Sequence, residues 1–455
     1  MNKIFPLRLS TTHIILLSFL GAIFIGSLLL ALPVSSATGE AVPYIDALFT
    51  ATTSVCVTGL VTLPTYSTWS TFAQVVILIL IQIGGLGIVT IMTGVLLSLH
   101  QRIGMGGRML LQDAFNLNSL SGIIRFIKRV LFGTFIVESL GALLYMTVFV
   151  PQYGVRGIWI SVFNAVSAFC NAGMDIIGED SLCGYTAHPM INFVTSMLII
   201  LGGIGFIVWW DVLSVMKDVR HQKMKCFRRL TLHSKIALFT TAVFLFTGAA
   251  AFFIFEYNNP LTMKDFTVAE KIQASMFQSV TTRTAGFASI PQQNLTNASA
   301  IVSLLLMFIG GSPVGTAGGI KTVTAAVLFV SAFATICNKE EAEIFQRRIS
   351  KPAIGKAVAV VSMSFIIMFT STVLLAAVTN ADALDIVYET VSATATVGLT
   401  RNLTAELNLW GKLIIICTMY LGRVGPISLV IAFNTKKKAE ISLRIQSKRS
   451  ALVNE

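Results

Sequence analysis

Phe49-Thr-Ala-Thr-Thr-Ser-Val-Cys-Val57-Thr58-Gly59-Leu60 is the stretch whose reading decides the fold, because three later stretches repeat its plan. They are Phe163-Asn-Ala-Val-Ser-Ala-Phe-Cys-Asn171-Ala172-Gly173-Met174, Phe277-Gln-Ser-Val-Thr-Thr-Arg283-Thr284-Ala285-Gly286-Phe287 and Tyr388-Glu-Thr-Val-Ser-Ala-Thr-Ala-Thr396-Val397-Gly398-Leu399. Each runs from an aromatic residue through small or hydroxylated residues to a glycine. The glycines recur every 112 to 114 residues, and the aromatic lies ten residues before the glycine in three copies and nine before it in the third. A period this regular along a whole chain indicates an internal repeat, although the copies share little identity.

Around these stretches the chain is built for lipid. Of its 455 residues 55% are hydrophobic and 12% charged, and the mean hydropathy is +0.79. Eight long apolar segments occur in pairs, one before and one after each glycine stretch: Ile14–Leu32 and Phe72–Leu99, Val130–Val150 and Met190–Met216, Ile236–Phe255 and Ala300–Ile320, Ala357–Val378 and Leu413–Phe433. Helices of such lengths cross roughly 30 Å of hydrocarbon. The first exceeds a signal peptide's apolar core and has counterparts later in the chain, so it reads as a spanning helix. The expected fold is an all-α integral membrane protein with eight transmembrane helices. They form four tandem helix–pore-loop–helix repeats around one pore, like a potassium channel.

The expected division is 1–13 N-terminus, 14–99 repeat 1, 100–129 linker, 130–216 repeat 2, 217–235 linker, 236–337 repeat 3, 338–356 linker, 357–433 repeat 4 and 434–455 basic tail. A net charge of +12 would suggest nucleic acid for a soluble chain, but the placement of the charges explains it otherwise. Of 33 Lys and Arg, 25 lie in the N-terminus, the three linkers and the tail. The positive-inside rule then makes both termini and all three linkers cytoplasmic. Such a basic rim can also touch anionic membrane lipid. The six cysteines, Cys56, Cys170, Cys183, Cys226, Cys337 and Cys417, have no paired spacing, so neither a disulfide framework nor a zinc site is indicated.

The glycine stretches are too short to span and lie on the non-cytoplasmic side, so each must enter and leave by the same face. Irregular backbone at membrane depth is tolerated only where protein or water covers it, which places four such loops around a wet axis. Glycine adopts positive φ without steric cost, so it lets successive carbonyls aim at that axis and replace a monovalent cation's hydration shell. A short helix before each glycine would point its negative end at the same ion. Asp46, Glu270 and Asp385 fall near the outer starts of three of these helices and read first as helix caps. In the second helix of each repeat, Gly84-Gly85-Leu86-Gly87, Gly202-Gly203-Ile204-Gly205, Gly310-Gly311 and Gly422-Arg423-Val424-Gly425 read as close-packing positions, where the helix passes behind a loop.

Gly310-Gly311-Ser312-Pro313-Val314-Gly315-Thr316-Ala317-Gly318-Gly319-Ile320-Lys321 interrupts the sixth apolar segment with five glycines and a proline. It cannot continue a helix, and topology puts it just cytoplasmic to the glycine turns. Only this second helix is expected to be broken. The string approximates a phosphate loop, but Ile320 stands where that motif has glycine and no strand precedes it, so ATP binding by this chain is not expected. Arg423, in the middle of the eighth segment, must face the pore or a partner group instead of lipid, and it reads as an electrostatic barrier below the turns. Glu138 and Asp211 read as structural.

Thr396-Val397-Gly398-Leu399 resembles a potassium-channel signature. With four such repeats in one chain, the sequence resembles the Trk/Ktr/HKT superfamily of K⁺ transporters over essentially its full length. The compact N-terminus, Arg283-Thr284-Ala285-Gly286-Phe287 and the short basic tail are most similar to the membrane subunits of bacterial Ktr systems. The resemblance implies selective K⁺ uptake across a bacterial inner membrane by a homodimer with one pore per subunit. It also implies a cytoplasmic ring of RCK-type nucleotide-binding regulatory subunits. Sodium-dependent, symport-type uptake with Na⁺ as a second ion is the expectation, although the residues themselves do not distinguish it from H⁺-coupled or channel-like movement. By position, the selectivity filter would comprise Val57, Thr58 and Gly59; Asn171, Ala172 and Gly173; Thr284, Ala285 and Gly286; and Thr396, Val397 and Gly398. These would bind K⁺ through backbone carbonyls only, without a covalent cofactor. The gate would comprise Gly310, Gly311, Gly315, Thr316, Ala317, Gly318, Gly319, Lys321 and Arg423. Sodium-permeable plant relatives have serine at the first filter position, so glycine at all four favours K⁺. A secondary transporter of another small solute is the alternative, with a midplane site of paired acids and broken helices. A membrane enzyme is disfavoured: His13, His100, His188, His221 and His233 only flank apolar segments, and the sequence has no nucleophile–base cluster.

Overall fold

The computed structural model describes residues 11–99, 104, 107, 110–112, 122–217, 229–339 and 341–425. Lys3, Arg8, His100, Arg102, His221, Cys226 and the basic tail from Lys436 to Arg449 lie outside the described residues.

Each repeat opens with a long outer helix: Thr11–Leu30, Ile123–Tyr153, Leu232–Glu256 and Lys351–Val378. All four are long and apolar enough to cross a bilayer alone. Their outward faces carry exposed Phe24, Phe132, Phe135, Phe246 and Phe369, as lipid-facing surfaces should. The second begins at Ile123 and not at Val130, and the fourth at Lys351 and not at Ala357. A hydropathy window stops at charge, whereas a helix runs on past the hydrocarbon into its basic first turns.

A short pore helix follows in each repeat: Tyr44–Cys56, Val155–Cys170, Val268–Thr281 and Ala383–Ala395. An inner segment then completes the repeat. Three inner helices start on side-chain caps, where Ser70, Thr296 and Asn408 accept from Ala73 N–H, Ser299 N–H and Gly411 N–H.

The inner segments depart from expectation. Repeat 3 is broken as foreseen, with helices Asn297–Phe308 and Thr322–Ile336 flanking the glycine-rich loop. Repeats 1 and 2 are broken as well, which corrects the expectation of one broken helix. Thr71–Leu86 and Ile88–Ser98 meet at 101°, and Pro189–Gly203 and the helix from Phe206 meet at 99°. The hinge is a glycine at φ +84° in repeat 1 (Gly87) and +93° in repeat 2 (Gly205), and Gly425 at φ +87° ends Leu409–Val424 in repeat 4. Positive φ ends a right-handed helix, and glycine adopts it without a Cβ clash.

The repeats close into a ring. Each inner helix packs against the pore helix of the next repeat, and that of repeat 4 packs against the pore helix of repeat 1. Every seam carries a polar tie. Trp159 Nε1 donates to Gln74 Oε1 (2.9 Å) between repeats 1 and 2, and Gln273 Nε2 to the Thr186 carbonyl (3.0 Å) between repeats 2 and 3. The Tyr388 hydroxyl donates to Gln292 Oε1 (3.1 Å) between repeats 3 and 4, and Lys412 pairs with Asp46 (2.5 Å) across the seam that joins the chain's two ends.

Behind the turns of repeats 1, 2 and 4 the small inner-helix residues are sterically required. A Cβ on Gly84 would collide with the Val55 carbonyl, one on Gly202 with the Phe169 carbonyl and one on Gly422 with the Thr394 carbonyl. These carbonyls sit at equivalent places, four residues before Gly59, Gly173 and Gly398. Gly84→Ala is expected to cost about 1–3 kcal/mol through overpacking, read as a lower unfolding temperature in detergent. Gly21→Ala, whose Cβ would meet nothing within 4 Å, is expected to leave that temperature unchanged.

Candidate functional site

The four glycine turns meet at the centre of the ring. A Cβ on Gly59 would lie 2.5 Å from the Ala172 carbonyl, one on Gly173 2.6 Å from the Ala285 carbonyl and one on Gly286 2.6 Å from the Val397 carbonyl. One on Gly398 would strike the Thr58 carbonyl. Each glycine therefore faces a carbonyl of the next repeat, and the fourth returns to the first. No side chain fits anywhere in this circuit.

The turns share one backbone conformation. The glycines have φ of +98°, +66°, +83° and +98°, and the residues two before them, Val57, Asn171, Thr284 and Thr396, have φ of +55°, +61°, +65° and +50°. Left-handed backbone at non-glycine residues costs on the order of 1–3 kcal/mol each, most for β-branched Val and Thr. Hydrogen bonds to the pore helices hold it in place. The N–H of Thr58 donates to the Thr53 carbonyl (2.9 Å), that of Ala172 to Ser167 (2.8 Å), that of Ala285 to Thr281 (3.0 Å) and that of Val397 to Ser392 (2.8 Å). Within a peptide plane the carbonyl points opposite to the N–H. The carbonyls of Val57, Asn171, Thr284 and Thr396 therefore turn away from the pore helices, toward the middle of the ring.

The same four pore-helix residues also use their hydroxyls. Thr53 Oγ1 accepts from Gly59 N–H (2.9 Å) and Ser392 Oγ from Gly398 N–H (3.0 Å). Ser167 Oγ accepts from Met174 N–H (3.1 Å), and Thr281 Oγ1 donates to the Phe287 carbonyl (2.6 Å). Sequence reading missed these roles. The signal was present as a hydroxyl six residues before the glycine in repeats 1, 2 and 4, and five before it in repeat 3, where the aromatic is displaced likewise.

The acids near the pore-helix starts differ in role. Glu270 forms a capping box with Thr267, as a cap should. Asp46 and Asp385 are corrected: they pair with Lys412 (2.5 Å) and with Arg401 (2.6 Å). Each ties the pore helix to another segment of the ring instead of capping its own N–H groups. Glu138 accepts from Gln82 (3.2 Å), and Asp211 accepts from the backbone and hydroxyl of Thr231, both structural contacts.

Above the ring an outer funnel of about 390 Å³ has the four glycines as its floor, with Asp175, Glu179 and Asp180 in its wall. Below lies an inner cavity of about 420 Å³, bordered by Gly84, Gly87, Gly315, Gly318, Lys321 and Arg423. The glycine-rich loop separates the two. Its neck is closed by Ile320 N–H to the Phe308 carbonyl (3.2 Å), Thr322 N–H to the Gly311 carbonyl (3.0 Å) and a Ser312–Thr322 hydroxyl pair (2.9 Å). Its tip presses on the underside of the ring. Gly318 N–H donates to Thr284 Oγ1 (3.2 Å), Thr316 Oγ1 donates to the Phe169 carbonyl (3.0 Å), and a Cβ on Gly318 would collide with the Thr396 hydroxyl.

The loop also accounts for the unforeseen helix breaks. In an unbroken inner helix of repeat 2, Phe206 N–H would bond to the Gly202 carbonyl. It donates instead to the Val314 carbonyl of the loop (3.0 Å), and the Gly202 and Gly203 carbonyls accept from Thr316 N–H (3.1 Å) and Ser312 N–H (2.8 Å). The Gly84 carbonyl, likewise released in repeat 1, accepts from Arg423 Nη2 (2.6 Å), whose Nη1 donates to the Thr316 carbonyl (2.8 Å). Arg423 thus clasps the loop to repeat 1. Lys321 Nζ donates to the Ala317 carbonyl within the loop (2.6 Å), and Arg283 Nη2 to the Gly310 carbonyl (3.1 Å). Lys321 is thus folded onto the backbone of its own loop.

Ser392→Ala and Thr53→Ala each strand a buried glycine N–H, at a cost of about 1–3 kcal/mol. Both are expected to lower the detergent unfolding temperature by several degrees, with Ser392→Thr retaining most of the wild-type value.

The family model of TrkH, a cation transport protein, matches residues 5–443. The potassium/sodium uptake protein NtpJ of Enterococcus hirae is 40% identical over 96% of this chain and 95% of the relative. The Ktr system potassium uptake protein B of Bacillus subtilis is 39% identical over 95% of each chain. The crystal structure of the potassium transporter TrkH from Vibrio parahaemolyticus superposes with a TM-score of 0.73 at 15% identity, covering 94% of this chain and 86% of that one, which is a likeness of fold.

Proposed function

Because this chain belongs to the TrkH family of cation transport proteins, we propose that it is a K⁺ uptake pore with the four glycine turns as its selectivity filter. The observation that carries this reading is the closed circuit of glycines and carbonyls, each repeat facing the next around one axis. Carbonyl oxygens of Val57, Thr58, Gly59, Asn171, Ala172, Gly173, Thr284, Ala285, Gly286, Thr396, Val397 and Gly398 replace the hydration shell of a dehydrated monovalent ion. Three pore helices end immediately before a left-handed cap in the ring, so their negative ends stabilise the ion just below it.

The loop from Gly310 to Lys321 is the gate. Its contacts with Thr284, Thr396 and Phe169 put it across the exit of the filter, and the Arg423 clasp holds it there. Lys321 and Arg423 add positive charge beside the path. Opening requires the Arg423 bonds to Thr316 and Gly84 to break, after which the loop can move into the inner cavity.

Uptake proceeds across a bacterial inner membrane, with both termini cytoplasmic and two copies of the chain associated. The similarity to a Ktr system B protein supports a nucleotide-binding regulatory subunit of the RCK type on the cytoplasmic face, biasing the gate. Similarity to a potassium/sodium uptake protein supports Na⁺ as a second ion of the cycle.

Uptake into liposomes with K⁺, Na⁺ and Rb⁺ in competition tests the filter. Gly286→Ser places a side chain against the Val397 carbonyl and is expected to reduce K⁺ preference over Na⁺ by roughly tenfold or more, equivalent to about 1.4 kcal/mol. Unchanged preference in a well-folded variant refutes the filter. Arg423→Gln is expected to raise K⁺ flux roughly three- to tenfold, because it removes both a clasp and a like charge worth on the order of 1 kcal/mol near the path; unchanged flux rejects the barrier.

A further inference from the structure

We infer that Glu389 is a positioning residue for selectivity, a buried carboxyl group that sets the width of the filter's outer mouth through two threonine hydroxyls. The inference rests on the filter reading above.

Glu389 directly follows the aromatic of repeat 4. The same place is polar in every repeat, with Thr50, Asn164 and Gln278 as its counterparts, and all four residues are buried. Their partners differ. Asn164 Nδ2 donates within its own helix, to the Ile160 carbonyl (2.9 Å). Gln278 reaches the segment that leaves its filter turn, where its Nε2 donates to Gln292 Oε1 (2.7 Å). Glu389 does the same with both carboxyl oxygens: Oε2 accepts from Thr400 Oγ1 (2.6 Å) and Oε1 from Thr404 Oγ1 (2.5 Å).

Thr400 and Thr404 both line the outer funnel, two and six residues beyond Gly398. Between them Arg401 pairs with Asp385, one turn before Glu389 on the same pore helix (2.6 Å). The exit of repeat 4 is therefore fastened to its pore helix at three points. The fully buried Glu389 engages both carboxyl oxygens at once, one with each threonine hydroxyl, and short O–H···O bonds of this kind fix the geometry of all three side chains. An amide would replace one acceptor oxygen with a donor group, so one threonine hydroxyl would lose its acceptor and have to turn round.

Discrimination between K⁺ and Na⁺ depends on whether the carbonyl ring can contract around the smaller ion. A fixed exit segment resists that contraction next to Gly398. Releasing it lets the carbonyls of Val397 and Gly398 follow the ion inward. Weaker selectivity follows, with transport retained.

The full-length protein in liposomes, with K⁺ and Na⁺ in competition, tests this. Glu389→Gln is expected to lower the K⁺/Na⁺ uptake ratio roughly three- to tenfold through loss of one of the two acceptor oxygens. The pair Thr400→Val and Thr404→Val is expected to lower it similarly, and the triple variant no further than either. If Glu389→Gln does not fold, each threonine variant alone still reports, because the carboxyl group then keeps one partner. An unchanged ratio in folded variants overturns the inference, as does a loss of total uptake at constant ratio, which marks a structural role only. Gly398→Ser separates the two readings: if it also leaves the ratio unchanged, the filter itself fails, whereas if it alone shifts the ratio, only the role of Glu389 falls.

Discussion

Four peptide turns held in left-handed backbone are the constraint on which the rest of this protein depends. A carbonyl can face the axis only if its peptide N–H faces the pore helix, and that N–H must find an acceptor there. Thr53, Ser167, Thr281 and Ser392 supply it, with a main-chain carbonyl in each case and a hydroxyl beside it. The small, hydroxylated character of the pore helices follows from this need. So does the glycine content of the inner helices, which pass against the pore-helix ends where any Cβ would collide.

The break in the inner helices is part of the same economy of hydrogen bonds. A helix interrupted in a membrane leaves carbonyls and N–H groups that no water can satisfy. Here the released groups of repeat 2 bond to the loop of repeat 3, and a released carbonyl of repeat 1 bonds to Arg423 of repeat 4. The glycine-rich loop thus takes part in an exchange of backbone partners among all four repeats. Many polar bonds hold it, and polar bonds of this kind can be exchanged for others if the segment moves.

The repeats are alike in plan and unlike in detail, and the differences lie where function is proposed. Among the described residues, repeat 3 carries a long loop in its inner segment, repeat 4 joins a carboxyl group of its pore helix to the segment beyond its glycine turn, and the seam between repeats 4 and 1 alone is closed by an ion pair. A single chain can vary each quarter of a pore independently, which a homotetramer cannot.

The fourfold plan, the membrane setting, the glycines and the interrupted sixth segment were legible in the sequence, because period, hydropathy and helix-breaking residues are local properties. The positions of Arg423 and of the loop relative to the turns could be argued from topology. Only the tertiary structure decided that the inner helices of repeats 1 and 2 break at Gly87 and Gly205, since a glycine within an apolar run reads equally well as a packing site. It alone showed that Asp46 and Asp385 are ion-paired, and that Thr53 and Ser392 hold the turns. In each case the partner comes from another segment or another repeat. A sequence records which groups can donate or accept, and packing alone determines which of them meet.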